Sequence, residues 1–182
     1  MSSTHRRWPL RPALALLALA LVGLAFVAST GSAHATPGKA VQRLVVRGED
    51  TVLDGPCGPS GCPFQLADGK FRGTVGTGDY TGALTLDIAD VFDNGEGGLC
   101  APLNGTIVLG AGTPNRLELA VWVESCQDGA RNPTQSSFTG LAHFVVKHGT
   151  GAYAKATGYG IGSFLEGADD HEHMTLIGRI SR

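Results

Sequence analysis

From residue 41 onward the chain alternates apolar and polar positions, and glycine-rich turns interrupt the alternation at short intervals. A period of two suits a strand with one buried and one wet face, because successive side chains point to opposite sides of a sheet. No stretch sustains a helical period. Eight strands are predicted, over 41–48, 70–76, 80–92, 102–110, 116–126, 137–148, 157–166 and 173–180. In 80–92, Tyr80, Leu84, Leu86, Ile88 and Phe92 share one face, with Thr81, Ala83, Thr85 and Asp87 on the other. In 157–166, Gly158, Gly160 and Gly162 lie opposite Tyr159, Ile161 and Leu165. Three glycines on one side of a strand point to sharp coiling or a close backbone approach, as at a barrel corner. Asn104-Gly105 reads as a turn or bulge, and 93–98 and 127–136 as polar connections.

Two of these segments fix their own register. With a hairpin centred on Thr113, Leu109 faces Leu117, Ile107 faces Leu119, Gly105 faces Val121 and Leu103 faces Val123, an apolar row on one face. The same register sets Cys100 opposite Cys126. Directly opposed residues lie within the Cα span of a disulfide. A slip of one residue would set the Leu and Ile row against Glu118 and Ala120. Cys57 and Cys62 remain to close the loop Gly58-Pro59-Ser60-Gly61, so the expected bridges are Cys57–Cys62 and Cys100–Cys126. The spacings between the four Cys lack the paired C-x2-C knuckles of a structural zinc site.

Eight antiparallel strands in one domain can close on themselves and lose their exposed edges. The expected fold is therefore all-β, an eight-stranded antiparallel β-barrel over 41–182. A two-sheet sandwich, the alternative, asks for a more uniformly apolar inner face than Thr, His and Arg in several strands allow.

Composition sets the compartment. His5, Arg6, Arg7 and Arg11 precede an uncharged apolar stretch of 16 residues, Ala13 to Ala28, and Ala33-His34-Ala35 is a small-x-small cleavage signal. Residues 1–35 thus read as a signal peptide, with a stretch short of the roughly 20 residues a permanent span needs. Arg6-Arg7 resembles a twin-arginine signal, against which Pro9 stands. Removing 35 residues from 182 leaves 147, with a short flexible tail at 36–40 before the domain. Beyond the leader 11 basic residues face 16 acidic ones, a net charge of −5 with His neutral. That balance argues against nucleic acid or an anionic membrane as partner. An even number of Cys agrees with a secreted, oxidised product, and nothing past residue 36 is long and apolar enough to span a membrane.

A ten-residue pattern repeats: Phe71-x4-Gly76-Thr77-Gly78-x-Tyr80 and Phe144-x4-Gly149-Thr150-Gly151-x-Tyr153. It predicts two equivalent strand-to-turn transitions, each with Gly at positive φ and Tyr packed back on the barrel rim. The second copy continues as Gly149-Thr150-Gly151-Ala152-Tyr153-Ala154-Lys155-Ala156-Thr157-Gly158. This resembles the G-T-G-x-aromatic-x-x-A-x-G turn between two late strands of allene oxide cyclase and dirigent-type barrels. The likeness covers about residues 138–180, with Gly149, Thr150, Gly151, Tyr153, Ala156 and Gly158 as its motif residues. It implies an eight-stranded antiparallel barrel, often oligomeric, with an apolar cavity that guides cyclisation in some members. The matching residues form a turn, so no catalytic residue is carried over.

The densest group of ligand-type side chains is Asp169-Asp170-His171-Glu172-His173. On a strand His171 and His173 point the same way and could share a metal ion with His143 or His148. The Gly167-Ala168-Asp169-Asp170 lead-in favours a solvated turn instead, so no metal or other cofactor is assigned. Asp87 and Asp90 point to opposite faces of a regular strand and make no acid-base pair, and Glu118 and Glu124 belong with Trp122 on an outer, wet face. Ser60 lacks a nucleophile elbow, and Gly76-Thr77-Gly78 precedes no helix that could cradle phosphate. Asn104-Gly105-Thr106 matches a glycosylation sequon. The functional expectation is a secreted, disulfide-stapled barrel that binds a small hydrophobic ligand without turnover. A cyclase or isomerase using the same cavity, and an extracellular interaction module acting through loops 93–99 and 127–136, are the alternatives.

Overall fold

The computed structural model describes residues 40–95, 97–127 and 137–182. The predicted leader (1–35), nearly all of the tail (36–40) and most of the connection 127–136 lie outside the described residues. Among the described residues nine strands follow one another: β1 (Val41–Asp54), β2 (Cys62–Gly73), β3 (Gly76–Leu86), β4 (Phe92–Asp93), β5 (Leu99–Leu109), β6 (Leu117–Gln127), β7 (Phe138–Gly149), β8 (Thr157–Glu166) and β9 (His171–Ser181). Single 3₁₀ turns occupy Ile88–Asp90 and Gly151–Tyr153. Eight strands form one antiparallel ring in the order β3-β2-β1-β9-β8-β7-β6-β5, closed by pairing of Tyr80–Leu86 in β3 with Leu103–Leu109 in β5. The two-residue β4 lies outside the ring, against the start of β5. The fold is a closed eight-stranded antiparallel barrel.

The β5–β6 hairpin takes the register that its apolar row demands: Leu109 faces Leu117, Ile107 faces Leu119, Leu103 faces Val123 and Cys100 faces Cys126. Elsewhere the boundaries move. The alternation of β1 runs on past residue 48 through Asp50 and Val52, both buried, so the strand ends at Asp54. β2 begins at Cys62 rather than residue 70, because its first half pairs with β3 on one side and with the extended β1 on the other. β3 ends at Leu86. There Asp87 leaves the sheet, and its side chain accepts a hydrogen bond from the Ala89 N–H at 3.0 Å, capping the 3₁₀ turn. Ile88 and Phe92 are consequently exposed instead of sharing the inner face of Tyr80, and Asp87 and Asp90 belong to a turn rather than to a strand. Asn104-Gly105 is neither turn nor bulge but mid-strand in β5, where Gly105 faces inward against the Ala83 main chain.

Glycines decide how the lumen is filled. The glycine face of β8 points inward, which turns Tyr159 and Ile161 outward to 65% and 57% exposure. Phe144 of β7 occupies the space so left: a Cβ at Gly178 would meet its Cζ at 2.9 Å, and one at Gly160 would meet it at 2.5 Å. Around it Leu44, Val46, Ile107, Leu119, Val121, Leu176 and Ile180 complete a fully buried core.

The two ends of the barrel differ. At one end the Tyr153 hydroxyl donates to the Val75 carbonyl at 3.0 Å, and Arg182 lies over its ring at 5.5 Å. Thr150 donates to the Pro114 carbonyl at 2.8 Å, and the Ala152 N–H donates to Asn115 Oδ1 at 2.9 Å. This end is plugged. The motif residues 149–158 therefore build the floor of the barrel. The two repeat copies are not equivalent: Tyr153 covers this rim, whereas Tyr80 is buried inside the lumen, with 1% exposure. At the opposite end strands meet the Cys57–Cys62 loop, the Ile88–Asp90 turn, β4 and the 167–170 turn, and there the lumen opens.

Phe144 has no substitute in this packing. Phe144→Ala is expected to cost about 3–5 kcal/mol, as for other large buried aromatics. Urea unfolding followed by far-ultraviolet circular dichroism measures it, and a cost under about 1 kcal/mol would contradict the packing described.

Candidate functional site

The open end holds a cavity of about 360 Å³. Its wall is mostly apolar, with Val52, Phe64, Leu66, Leu84, Leu86, Leu103, Val123, Phe138 and Phe164 contributing, and Val91 and Leu99 at the entrance segment. Into this wall come Asp54, Ser125, Gln127, Glu166 and Glu172. Among the described residues no Lys, Arg or His lines it.

The acids arrive by register. Asp50 of β1 faces Glu172 of β9, and Glu172 faces Glu166 of β8 across its other edge. All three share the inner face of their strands with core residues: Asp50 with Leu44 and Val46, Glu172 with Met174 and Leu176, Glu166 with Phe164. The row continues through Phe138 of β7 to Gln127 of β6. Strands in a closed barrel tilt against its axis, so a row of hydrogen-bonded neighbours climbs along the lumen. Asp50, 5% exposed, lies behind the cavity; Glu172, 7% exposed, forms its wall; Glu166 is half-buried nearer the rim.

A slot made by two glycines supports the deep end of this row. Cβ atoms at Gly48 and Gly69 would each lie 2.8 Å from the Tyr80 ring, so only glycine lets the ring lie across β1 and β2. Asp68, at φ 55°, is the extra residue of a bulge in β2 that brings Gly69 to this place. The Tyr80 hydroxyl donates to Asp50 Oδ2. Asp50 Oδ1 and Glu172 Oε1 are buried and meet no donor from the described residues.

Burial sets the protonation of the group. Desolvation, reinforced by the charge of Asp50 and then of Glu166, pushes the Glu172 carboxyl up to about 9. Desolvation followed by the charges of Asp54, Asp170 and Asp50 pushes Glu166 up to about 7. Desolvation also raises Asp50, to about 6, against the opposing hydrogen bonds of Tyr80 and Glu172 and the charges of His171 and His173. The Tyr80 hydroxyl is raised by burial and then by its bond to Asp50, and stays protonated. At neutral pH Glu172 is thus a neutral carboxylic acid hydrogen-bonded to an Asp50 carboxylate. A carboxyl held neutral in an apolar site can donate a hydrogen bond or a proton to a bound molecule.

Cys57 is bonded to Cys62 and Cys100 to Cys126, and both bridges sit at the mouth, Cys100 on the cavity wall. Gly149, Thr150, Gly151, Tyr153, Ala156 and Gly158 lie at the far, plugged end. His171 and His173 are exposed on the outer face of β9, where His173 Nδ1 lies 3.7 Å from Glu49 Oε1. Among the described residues no three His, Cys, Asp or Glu are grouped to hold a metal ion. Glu118 is half-buried beside Lys147 Nζ at 3.1 Å, Glu124 and Trp122 face solvent, and Ser60 is exposed in the stapled loop. Sequence reasoning missed Asp50, Glu166 and Glu172. The signal for Glu172 was present: if His171 and His173 both point out, the residue between them points in. Comparison of the chain with models of protein families, with curated proteins and with solved structures gives no match.

Glu172 loses its proton near 4.5 in the unfolded chain but near 9 in the barrel, so the folded state holds the extra proton between those values. Glu166 and Asp50 shift in the same direction. The stability that the neutral carboxyls provide is complete below about pH 4 and is lost as pH rises towards 9. Calorimetric melting temperature is expected to fall from pH 5 to pH 9. Glu172→Gln, neutral throughout, is expected to flatten that fall and to be about 2 kcal/mol more stable than the parent at pH 8. A parent melting temperature that does not change over this range would contradict the assignment.

Proposed function

We propose that the chain is a secreted barrel that takes up a small, largely apolar molecule through its mouth. The observation that carries this reading is the cavity itself, about 360 Å³ with a mainly aliphatic and phenyl wall. That volume lies at the lower end of the range for small-molecule sites, and apolar walls with a few converging polar groups are their usual composition. Secretion is supported by the leader-like residues 1–35 and by two disulfides among the described residues, which persist in oxidising compartments. No helix among the described residues is long and apolar enough to cross a membrane. Kinship with the allene oxide cyclase and dirigent-type barrels, suggested by residues 149–158, is part of the same proposal.

A second reading has one observation in its favour. Glu172, neutral at pH 7 and placed on the cavity wall, has the chemistry of a general acid, as acid-assisted cyclisation or isomerisation of the bound molecule would need. Turnover that is lost in Glu172→Gln while ligand still binds would distinguish it from simple uptake.

Two outcomes are expected. A neutral apolar dye such as Nile red should bind with enhanced fluorescence, and Leu103→Trp, which fills the cavity, should weaken it roughly tenfold or more. Absence of binding, or binding unaffected by Leu103→Trp in a folded variant, would overturn the reading. Protein recovered from culture medium should begin at Thr36 by intact mass, whereas a full-length, cell-retained chain would overturn secretion.

A further inference from the structure

We propose that the mouth cavity selects a small apolar molecule bearing one basic nitrogen, with its ammonium group between Glu166 and Glu172 and its body against Phe64, Leu84 and Phe138. This rests on the uptake reading above and narrows the ligand class.

Three observations lead to it. The first is a shortage of donors. Asp50 and Glu172 bring four carboxyl oxygens together, the Tyr80 hydroxyl serves one of them, and Asp50 Oδ1 and Glu172 Oε1 meet no donor from the described residues. One proton held between the two carboxyls supplies a single further contact and still leaves acceptors over. An ammonium carries three donors and no acceptor, which matches what the wall lacks. An alcohol brings one donor, and a carboxylate brings none.

The second is charge. Asp54, Glu166 and Glu172 line the cavity with Asp50 directly behind, and among the described residues no Lys, Arg or His lines it to balance them. The histidines that act on Asp50, His171 and His173, stand on the outer face of β9. A bound cation would supply the missing positive charge inside a low-dielectric wall, where charge-assisted hydrogen bonds are strongest. An anion would face the repulsion of these carboxylates.

The third is the rest of the wall. Metal ions also carry positive charge, but among the described residues no three His, Cys, Asp or Glu are grouped to hold one, and apart from Ser125 and Gln127 the remaining surface is mainly hydrocarbon. Phe64, Phe138 and Phe164 present π-systems that favour a cation as well as an apolar body. The cation the site fits is therefore organic. As the ammonium docks, the carboxyl proton of Glu172 leaves to solvent, so the pair closes as carboxylate and ammonium.

Three probes with one naphthalene body test this: 1-naphthylmethylamine, 1-naphthalenemethanol and 1-naphthoate, titrated calorimetrically into the mature protein at pH 7. The amine should bind at least roughly tenfold tighter than the alcohol, and the acid more weakly than either. Amine binding should release protons, seen as a heat that depends on the buffer's ionisation enthalpy. In Glu166→Gln, and in Glu172→Gln where it folds, the amine-to-alcohol ratio should approach one. Alcohol binding as tight as the amine would overturn the inference while leaving uptake intact, and so would a ratio untouched by Glu166→Gln. If none of the three binds, uptake itself fails and the inference falls with it.

Discussion

Hydrogen bonding between β3 and β5 is the constraint on which the rest of the molecule depends. Without it the eight main strands would form an open, twisted sheet with two bare edges, and the inner face would have nothing to pack against. Gly105 lets the two strands approach, since a Cβ there would run into the Ala83 main chain. Closure converts one face of every strand into a lumen. It also fixes the tilt that carries the row from Asp50 through Glu172 and Glu166 towards the rim.

That lumen is filled unevenly, and the unevenness separates support from site. At the plugged end Phe144, Tyr153 and a layer of Leu, Ile and Val form a buried core. At the mouth the side chains are long enough to form a wall but not to meet across it, and both disulfides tie down the segments around the opening. Two buried carboxyls and a half-buried third in such a place oppose folding at high pH, since burying charge in hydrocarbon is costly unless it is paired. Tyr80, lying in a glycine slot that has no other evident use, offsets part of this for Asp50 alone. A barrel selected for stability alone would carry apolar residues at positions 166 and 172.

Much of the fold was legible because the lumen and the solvent impose a strict period of two. The Cys100–Cys126 register could be derived from the Leu and Ile row by itself, since any slip exposes that row. What could not be read were places where polar residues face inward. Asp50 interrupts an apolar face, so alternation in β1 looked finished at residue 48 although the strand continues to Asp54. The 62–69 half of β2 carries Pro63 and a bulge at Asp68, which break the visible period while the pairing continues. The Asp169–His173 cluster drew attention to its histidines, which face solvent, and away from Glu172, which faces the cavity. Glu166 and Glu172 meet across the local β8–β9 hairpin, but Asp50 joins them only through pairing of β1 with β9, strands distant in sequence, and no local pattern encodes that.

The central claim is that Glu172 sits inside the barrel mouth as a neutral carboxylic acid hydrogen-bonded to Asp50. Carbon-13 titration of the glutamate side-chain carboxyls, with the Glu172 resonance assigned by its loss in Glu172→Gln, measures this directly. A midpoint near 9, together with a coupled inflection at Asp50 near 6, is the expected result. A Glu172 carboxyl that titrates close to the ordinary 4.5 would place it in water, and would contradict both the buried row and the chemistry assigned to it.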